Sequence, residues 1–199
     1  MGVVNWDIVT KINANNGIDF ASGLNLEGDF CYALEVLQGP SLIAIKNKII
    51  TAKKNVKIKT LIRKSCIKME PFLFVRCNSS KQAYVIKLEN NITLYRLDMT
   101  DLPSFASQVP IISGTTTIEA NVTYNISLSC YELLDSSAVF DVEILKNNVW
   151  QTEIKHVLLP NIAEGDIGFG NYYRFSNLTS ECKRVFFDKI EILIPVDFI

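Results

Sequence analysis

Two carboxylates in the run Val139–Leu145 have the spacing best suited to chemistry. Asp141 and Glu143 are two positions apart in a segment whose other residues are apolar, so on a strand both side chains lie on one face. Two carboxyl groups on one face can serve as acid and nucleophile at a glycosidic bond. The next residues, Ile144 to Lys146, supply no further acid. We therefore interpret Asp141 and Glu143 as an acidic pair that faces solvent, and we predict no catalytic residue.

The single histidine, His156, is the other candidate for acid–base or nucleophilic chemistry. It alternates with Ile154 and Leu158, which predicts a strand residue that either packs against the core or faces solvent. The sequence contains no Cys-x-x-Cys pair, glycine-rich phosphate loop or two-histidine metal spacing. We therefore predict no metal site, no cofactor and no enzymatic activity.

The nine cations between Val36 and Met69 form the most conspicuous charge feature, because that interval contains no acid. Alternation places Lys57, Lys59 and Arg63 on one face of a strand, where they would attract phosphate, sulfate or an acidic protein surface. The alternative is a solvated outer face that discourages aggregation between sheet edges. The interval contains no aromatic residue to stack on bases, so we expect no nucleic-acid partner.

The five cysteines are scattered and odd in number. We predict that all of them are unpaired thiols buried as small apolar side chains. Five Asn-x-Ser/Thr sequons also occur, and we interpret them as mainly a consequence of an Asn-, Ser- and Thr-rich composition. The cysteines are Cys31, Cys66, Cys77, Cys130 and Cys182, and the sequons begin at Asn78, Asn91, Asn121, Asn125 and Asn177.

We expect the protein to be part of a virion or to be located in the cytoplasm. Met1–Trp6 lacks a basic region followed by an apolar core, so it does not resemble a secretory signal. An extracellular protein whose signal has been removed is the alternative. The apolar runs are too short to cross a bilayer, and we expect no membrane insertion.

The apolar residues recur with a period of two along most of the chain, and the runs are separated by short polar breaks such as Asn147-Asn148. This pattern predicts an all-β protein, an antiparallel sandwich or barrel. We expect one domain over residues 1–199, with residues 1–19 as an N-terminal extension or arm. Three segments permit a short helix: Ile8–Asn13, Asp101–Phe105 and Ser129–Leu134. The predicted core includes Phe74, Tyr84 or Val85, Ile86 or Leu88, Val142, Ile144, Phe187 and Ile190.

Six short motifs follow one another along the chain: Gly28–Val36, Pro71–Cys77, Gln82–Leu88, Ile92–Leu97, Glu164–Phe169 and Val185–Ile192. In this order they resemble the strands of a concanavalin A-like lectin/glucanase jelly roll of the laminin-G type. The resemblance covers roughly residues 20–199 and implies an antiparallel β-sandwich.

The resemblance implies two possible activities. A glucanase of this kind would carry Glu-x-Asp-x-x-Glu on one strand, but Val139 stands where the leading acid is expected. A lectin would use aromatic rings to stack on sugars, and the candidates are Tyr84, Tyr95, Trp150, Tyr172 and Tyr173.

Three functions follow in order of preference. The first is a non-enzymatic structural or interaction module of a larger assembly, such as a viral or phage virion component, whose partners are other subunits or itself. The second is a carbohydrate-binding, lectin-like module with a glycan partner, and the third is a degenerate hydrolase. The residues predicted to contact the ligand or partner are Lys57, Lys59, Arg63, Tyr84 and Trp150.

Overall fold

The computed structural model describes residues 6–20, 30–50, 55–106, 108–133, 135, 137–160 and 165–194. This part of the chain forms fourteen strands and one short helix, α1 (Leu102–Ala106). The strands are β1 (Trp6–Ile12), β2 (Ala14–Phe20), β3 (Phe30–Val36), β4 (Ser41–Asn47), β5 (Val56–Lys64), β6 (Glu70–Cys77), β7 (Gln82–Leu88), β8 (Asn91–Asp98), β9 (Ile112–Thr117), β10 (Thr123–Glu132), β11 (Ala138–Lys146), β12 (Val149–Leu159), β13 (Asp166–Tyr173) and β14 (Arg184–Leu193).

The strands form two antiparallel sheets of seven strands each. Sheet A has the order β1-β4-β13-β6-β7-β8-β9, and sheet B has the order β12-β11-β10-β5-β14-β3-β2. The predicted all-β sandwich is therefore confirmed. The predicted break at Asn147-Asn148 is the two-residue turn between β11 and β12, where both residues have positive φ (51° and 61°). Asparagine tolerates this left-handed conformation, which matches the twist of a tight hairpin.

The main core lies between the sheets and is built from alternate residues of each strand. Ile58 and Ile62 of β5 and Leu128 of β10 belong to the same apolar cluster as Ile86 of β7. Among the predicted core residues, Tyr84, Ile86, Leu88, Val142, Ile144 and Phe187 lie in this cluster, and Ile190 packs against it.

A second apolar cluster covers the outer face of sheet A and contains Phe74 and Val85. The helix α1 packs there, because Phe105 lies 5.2 Å from the ring of Phe72 and 5.0 Å from the ring of Tyr172. Strand β6 is consequently buried on both faces. The helix α1 therefore covers part of the outer face of sheet A.

Residues 6–19 differ from the expected N-terminal arm, since β1 pairs with β4 at one edge of sheet A and β2 pairs with β3 at one edge of sheet B. Trp6 anchors the first strand, with its ring 4.7 Å from that of Phe169. Two of the helix-permissive segments are also strands, because Ile8–Asn13 falls mainly in β1 and Ser129–Leu134 falls mainly in β10. Pairing with neighbouring strands outweighs their weak helical preference. The third segment overlaps α1.

The prediction of five unpaired thiols is wrong, because Cys66 and Cys182 form a disulfide across 116 residues. Strands β5 and β14 pair antiparallel, with Lys64 opposite Val185. This pairing brings Cys66, which follows β5, next to Cys182, which precedes β14. The spacing of the cysteines in the sequence does not reveal that they are close in the fold. The three cysteines outside this disulfide are buried: Cys31, Cys77 and Cys130.

Among the described residues, no helix is both long and apolar enough to cross a bilayer. Some residues used in the sequence predictions lie outside the described ranges. They are Gly28, Asp29 and Glu164 of the strand motifs, and Lys53 and Lys54 of the nine cations between Val36 and Met69.

Candidate functional site

Strand β5 turns three of its four charged residues away from the core, whereas Lys64 at its end is buried. Val56, Ile58 and Ile62 belong to the inter-sheet cluster, so the residues that alternate with them point outward from sheet B. These include the cations Lys57, Lys59 and Arg63, which share one face as predicted. We call the outer face of sheet B the polar face. Its residues include Lys57, Lys59, Leu61, Arg63, Thr123, Asn125, Ser127, Ser129, Tyr131, Asp141, Glu143, Leu145, Trp150, Thr152, Lys155, His156, Phe186, Asp188, Glu191 and Leu193.

The strand register arranges polar side chains in rows across this face. In one row Thr152 is opposite Glu143, Glu143 is opposite Ser127, Ser127 is opposite Lys59, and Lys59 is opposite Glu191. Side chains that are directly opposite one another on antiparallel strands lie on the same face and in contact range. Five strands thus contribute alternating hydroxyl, carboxylate and ammonium groups to a single line.

We call Lys57, Lys59 and Arg63 on β5 the basic stripe. Carboxylates on the same sheet lie close to these cations. Lys57 Nζ lies 3.2 Å from Glu143 Oε2. Lys59 has Glu191 opposite it, and Leu61 has Asp188 opposite it, one alternate position from Arg63. The cations therefore belong to a mixed-charge surface rather than to a positive patch.

An open cleft of about 460 Å³ lies on this face, over β5, β10, β11 and β12. Its walls combine hydroxyl groups, two carboxylates, two ammonium groups and an imidazole. The residues that line it are Val56, Lys57, Ser129, Cys130, Tyr131, Asp141, Glu143, Thr152, Lys155 and His156.

Asp141 organises the polar groups at one wall of the cleft. Its Oδ1 accepts the backbone N–H of His156 at 2.7 Å and lies 3.2 Å from Nδ1 of the same residue. Burial and then the charge of Asp141, to which it is hydrogen-bonded, raise the pKa of the Tyr131 hydroxyl. His156 has φ 49° beside an irregularity in the β11–β12 register, and its side chain remains 59% exposed. This arrangement leaves the outer edge of the imidazole free to hydrogen-bond a ligand.

Trp150 and Lys59 meet across the polar face. Lys59 Nζ lies 5.8 Å from the centre of the Trp150 ring, although β10 and β11 separate their strands. This distance is within the range of a cation–π contact. Each residue is one alternate position beyond a cleft residue, since Lys59 follows Lys57 and Trp150 precedes Thr152. The pair therefore marks one boundary of the cleft.

Of the predicted ligand residues, the structure places four on the polar face: Lys57, Lys59, Arg63 and Trp150. Tyr84 is not among them, since it is 1% exposed between the sheets, its ring lies 4.7 Å from Phe140, and its hydroxyl donates to the carbonyl of Pro160. Its ring has no face open to a ligand. The other aromatic candidates apart from Trp150 are buried as well: Tyr95, Tyr172 and Tyr173.

Several cleft residues were not among the predicted site residues. The acidic pair, Asp141 and Glu143, was interpreted as solvent-facing only, and its neighbours on β10 and β12 were missed. Ser127, Ser129 and Tyr131 alternate with apolar residues on β10, so their period was a usable signal for one face. No comparable signal identified Thr152 or Lys155. Among the described residues, no group of His, Cys, Asp and Glu is arranged to hold a metal ion.

The fold of this chain is similar to the folds of several solved structures. The CBM66 carbohydrate-binding module from Bacillus subtilis has a TM-score of 0.63 and 12% identity, with 94% of each chain covered. The PL-14 alginate lyase from Aplysia kurodai has a TM-score of 0.61 and 9% identity, covering 94% of this chain and 90% of that one. The legume lectin-like domain from Entamoeba histolytica has a TM-score of 0.56 and 10% identity, covering 97% and 91%.

The fold is a concanavalin A-like jelly roll. The resemblance proposed from the strand motifs is therefore confirmed at the level of architecture. No protein-family model matches the sequence, and no curated protein matches it. At these identities the similarity shows the fold alone, since one fold supports many functions.

Proposed function

We propose that this chain is a carbohydrate-binding module whose ligand lies on the polar face. The observation that carries the proposal is the open cleft over β5, β10, β11 and β12, because it presents closely spaced donors and acceptors of several kinds. A sugar offers hydroxyl groups that both donate and accept, and a polar cleft can match them directionally. Trp150 at its boundary adds a ring on which an apolar sugar face can stack.

The comparisons favour this function over the assembly role that the sequence suggested first. The similar structures include a carbohydrate-binding module and a lectin-like domain. The basic stripe was the main argument for docking to an acidic subunit, and its cations lie beside carboxylates such as Glu143 and Glu191. A mixed-charge face gives little electrostatic steering toward an acidic partner.

Catalysis is the second possibility, because an alginate lyase shares the fold. We propose binding without turnover. Glu143 is paired with Lys57, and Asp141 is engaged by His156 and Tyr131, so both carboxylates have hydrogen-bonding or ionic partners within the face. Chromatography of oligosaccharides after long incubation with the protein tests this point, and the appearance of shorter or unsaturated products would contradict it.

Titration calorimetry with manno-, gluco- and fructo-oligosaccharides tests the binding function. Thr152→Val and Glu143→Gln remove a hydroxyl and a charged acceptor from the cleft. Each change should weaken binding by roughly tenfold, the effect of losing about one hydrogen bond to a charged or buried partner.

Glu119→Gln is the matched control, since Glu119 is exposed in the turn before β10 and its side chain should not affect the affinity. Equal affinities for all three variants would place the ligand elsewhere. Absence of binding to every saccharide of the panel would overturn the function itself.

We also propose that the chain works in an oxidising compartment, outside the cytoplasm. The disulfide between Cys66 and Cys182 supports this, because such bonds persist mainly in secreted and extracytoplasmic proteins.

A further inference from the structure

The disulfide gives new weight to the five Asn-x-Ser/Thr sequons of the chain. Disulfides form in the secretory compartment, where oligosaccharides are also linked to the asparagine of such sequons. The bond between Cys66 and Cys182 therefore makes each sequon a candidate for modification. A linked glycan is bulky and must extend into water, so the fold decides which of the sequons can carry one.

Two of the sequons lie within strands and are held by the sheets. Asn91 at the start of β8 is half-buried, and its Nδ2 donates to the carbonyl of Gly114 at 3.0 Å. The third residue of this sequon, Thr93, is 4% exposed. Asn125 is half-buried on β10, and the third residue of its sequon, Ser127, is fully buried. Neither sequon presents both its amide and its hydroxyl at the surface.

A third sequon begins at Asn78, which closes the turn between β6 and β7. Its Oδ1 accepts the backbone N–H of Gln82 at 3.0 Å, and its own N–H donates to the carbonyl of Gln82 at 2.9 Å. Its carbonyl accepts the N–H of Lys81 at 2.9 Å. The half-buried amide of Asn78 is thus fixed within the turn.

Asn121, by contrast, is exposed in the turn that precedes β10. A backbone hydrogen bond holds this turn, since the N–H of Asn121 donates to the carbonyl of Lys64 at 2.8 Å. The next residue, Val122, is 38% exposed, and Thr123 is half-buried at the start of β10. The side chain of Asn121 can therefore carry a bulky group without entering the fold.

Asn177 lies in the segment between β13 and β14 and is also exposed. Leu178 packs against the main core, whereas its two neighbours, Asn177 and Thr179, are exposed. The carbonyl of Asn177 accepts a hydrogen bond from the hydroxyl of Tyr173 at 2.7 Å, which holds the backbone in place. This sequon therefore presents both its amide and its hydroxyl to solvent.

The two exposed sequons lie at the end of β5 that is far from the cleft. Asn121 is bonded to Lys64, the last residue of β5. The segment that contains Asn177 continues to Cys182, which is joined to Cys66 just beyond that strand. The cleft is lined by the first residues of β5, and a strand of nine residues spans roughly 26 Å. Glycans at Asn121 and Asn177 thus leave the cleft open.

We propose that Asn121 and Asn177 carry N-linked glycans and that the other three sequons are unmodified. The inference rests on the proposed oxidising compartment and is independent of the ligand of the cleft. The co-substrate is an oligosaccharide bound to a lipid through a diphosphate. The asparagine Nδ2 forms a bond to the anomeric carbon of the first sugar and releases one proton. The bond from that carbon to the diphosphate oxygen breaks, and the lipid diphosphate leaves.

Secretion of the full chain from a eukaryotic cell line, behind a cleavable signal sequence, tests the two acceptors. Treatment with peptide-N-glycosidase should lower the intact mass by two glycans. Because this enzyme converts each modified asparagine to aspartate, peptide mapping should locate the change at Asn121 and Asn177. Asn121→Gln and Asn177→Gln should each lose one glycan. Thr179→Ala should lose the same glycan as Asn177→Gln, although it leaves the asparagine in place.

Asn125→Gln is the matched control, because it removes a sequon that the fold holds and should keep both glycans. If the disulfide has formed and either Asn121 or Asn177 lacks a glycan, the inference is overturned. A glycan at Asn78, Asn91 or Asn125 would also overturn it, since accessibility would then not select the sites. Five free thiols in the secreted protein would instead overturn the disulfide and the proposed compartment.

Discussion

Lys64 carries a cation into the space between the sheets. It is 2% exposed at the end of β5, and its Nζ donates to the backbone carbonyl of Leu88 at 3.1 Å and to that of Glu89. Burial lowers the pKa of Lys64 to about 8 from its usual 10.5, although the charges of Glu70 and Glu89 oppose the shift. Folding therefore disfavours the protonated form of Lys64. The two carbonyls offset part of this cost by accepting hydrogen bonds from the ammonium group.

The lowered pKa of Lys64 predicts how stability changes with pH. Between pH 8 and 10.5 the unfolded chain binds more protons at this residue than the folded chain, so Lys64 makes stability rise with pH in that window. Its stabilising contribution is complete above the unfolded value and is lost as pH falls through the folded value. In Lys64→Met this dependence disappears. As pH rises through this window, the free energy of unfolding of the wild type should therefore increase relative to that of the variant by up to about 1 kcal/mol per pH unit.

Urea unfolding at pH 7, 8, 9 and 10 measures the effect of Lys64. Lys11→Met serves as the control, because Lys11 is exposed on β1 and should follow the wild-type curve. If Lys64→Met and the wild type gave parallel curves over this range, the pKa of Lys64 would not be lowered.

At the scale of the elements, β9 and β12 connect the two sheets at one edge of the sandwich. The side chain of Glu153 on β12 is 3% exposed, and its Oε2 accepts the backbone N–H groups of Thr115 and Thr116 on β9, each at 2.9 Å. Lys146 Nζ lies 3.4 Å from the other oxygen. A Cβ at Gly114 would be 2.7 Å from the same carboxylate, so a side chain there would force the carboxylate to shift. Glu153 therefore accepts hydrogen bonds from N–H groups of β9, the edge strand of sheet A in the described part of the chain.

Removing this carboxylate should destabilise the protein. Glu153→Ala leaves two N–H groups of β9 without their acceptor and should cost about 2–3 kcal/mol, the usual range for lost bonds to a charged group. Guanidinium unfolding measures the change, and Glu119→Ala on an exposed turn is the control. A loss below about 0.5 kcal/mol would show that water replaces the carboxylate without penalty.

Low pH should weaken the contact between Glu153 and the N–H groups of β9. Burial alone would raise the pKa of Glu153, but the hydrogen bonds from Thr116 and Thr115 and the charge of Lys146 hold it below its usual 4.5. The carboxylate thus stabilises the fold above that value, and this stabilisation is lost as pH falls through the lower folded pKa.

At the scale of the whole molecule, β5 links the cleft to the disulfide. Val56 and Lys57 at its start line the cleft, while Cys66 follows its end and is bonded to Cys182 ahead of β14. The bond closes a loop across 116 residues, so it restricts the unfolded chain strongly. The cleft itself lies at the other end of the strand and should keep its shape without the bond.

The double change Cys66→Ser with Cys182→Ser should therefore lower stability by about 2–5 kcal/mol and leave sugar affinity in the cleft unchanged.

Mass spectrometry of the unreduced protein should show the loss of two hydrogens for one bridge. Burial raises the pKa of Cys77 to about 12 and that of Cys130 to about 11, so neither should be alkylated by iodoacetamide at pH 8 in the folded state. Five reactive thiols after unfolding without reductant would contradict the disulfide.

The sequence by itself determined the local features of the fold. Alternation of apolar and polar residues specified the strands, because a strand exposes successive side chains on opposite faces. It placed Lys57, Lys59 and Arg63 together on β5, and it placed the turn at Asn147-Asn148. It also included Val142 and Phe187 among the core residues. These features depend on residues close in the chain, so pattern alone could predict them.

Only the tertiary structure decided which faces meet. Alternation gives each strand two faces but does not say which of them a helix will cover, and α1 covers sheet A rather than sheet B. The order β12-β11-β10-β5-β14 brings Lys57 beside Glu143, 86 residues later in the chain, and the pairing of β5 with β14 joins Cys66 to Cys182. Such contacts come from the packing of the two sheets as a whole. For that reason the cleft and the burial of Tyr84 between the sheets could not be derived from local sequence.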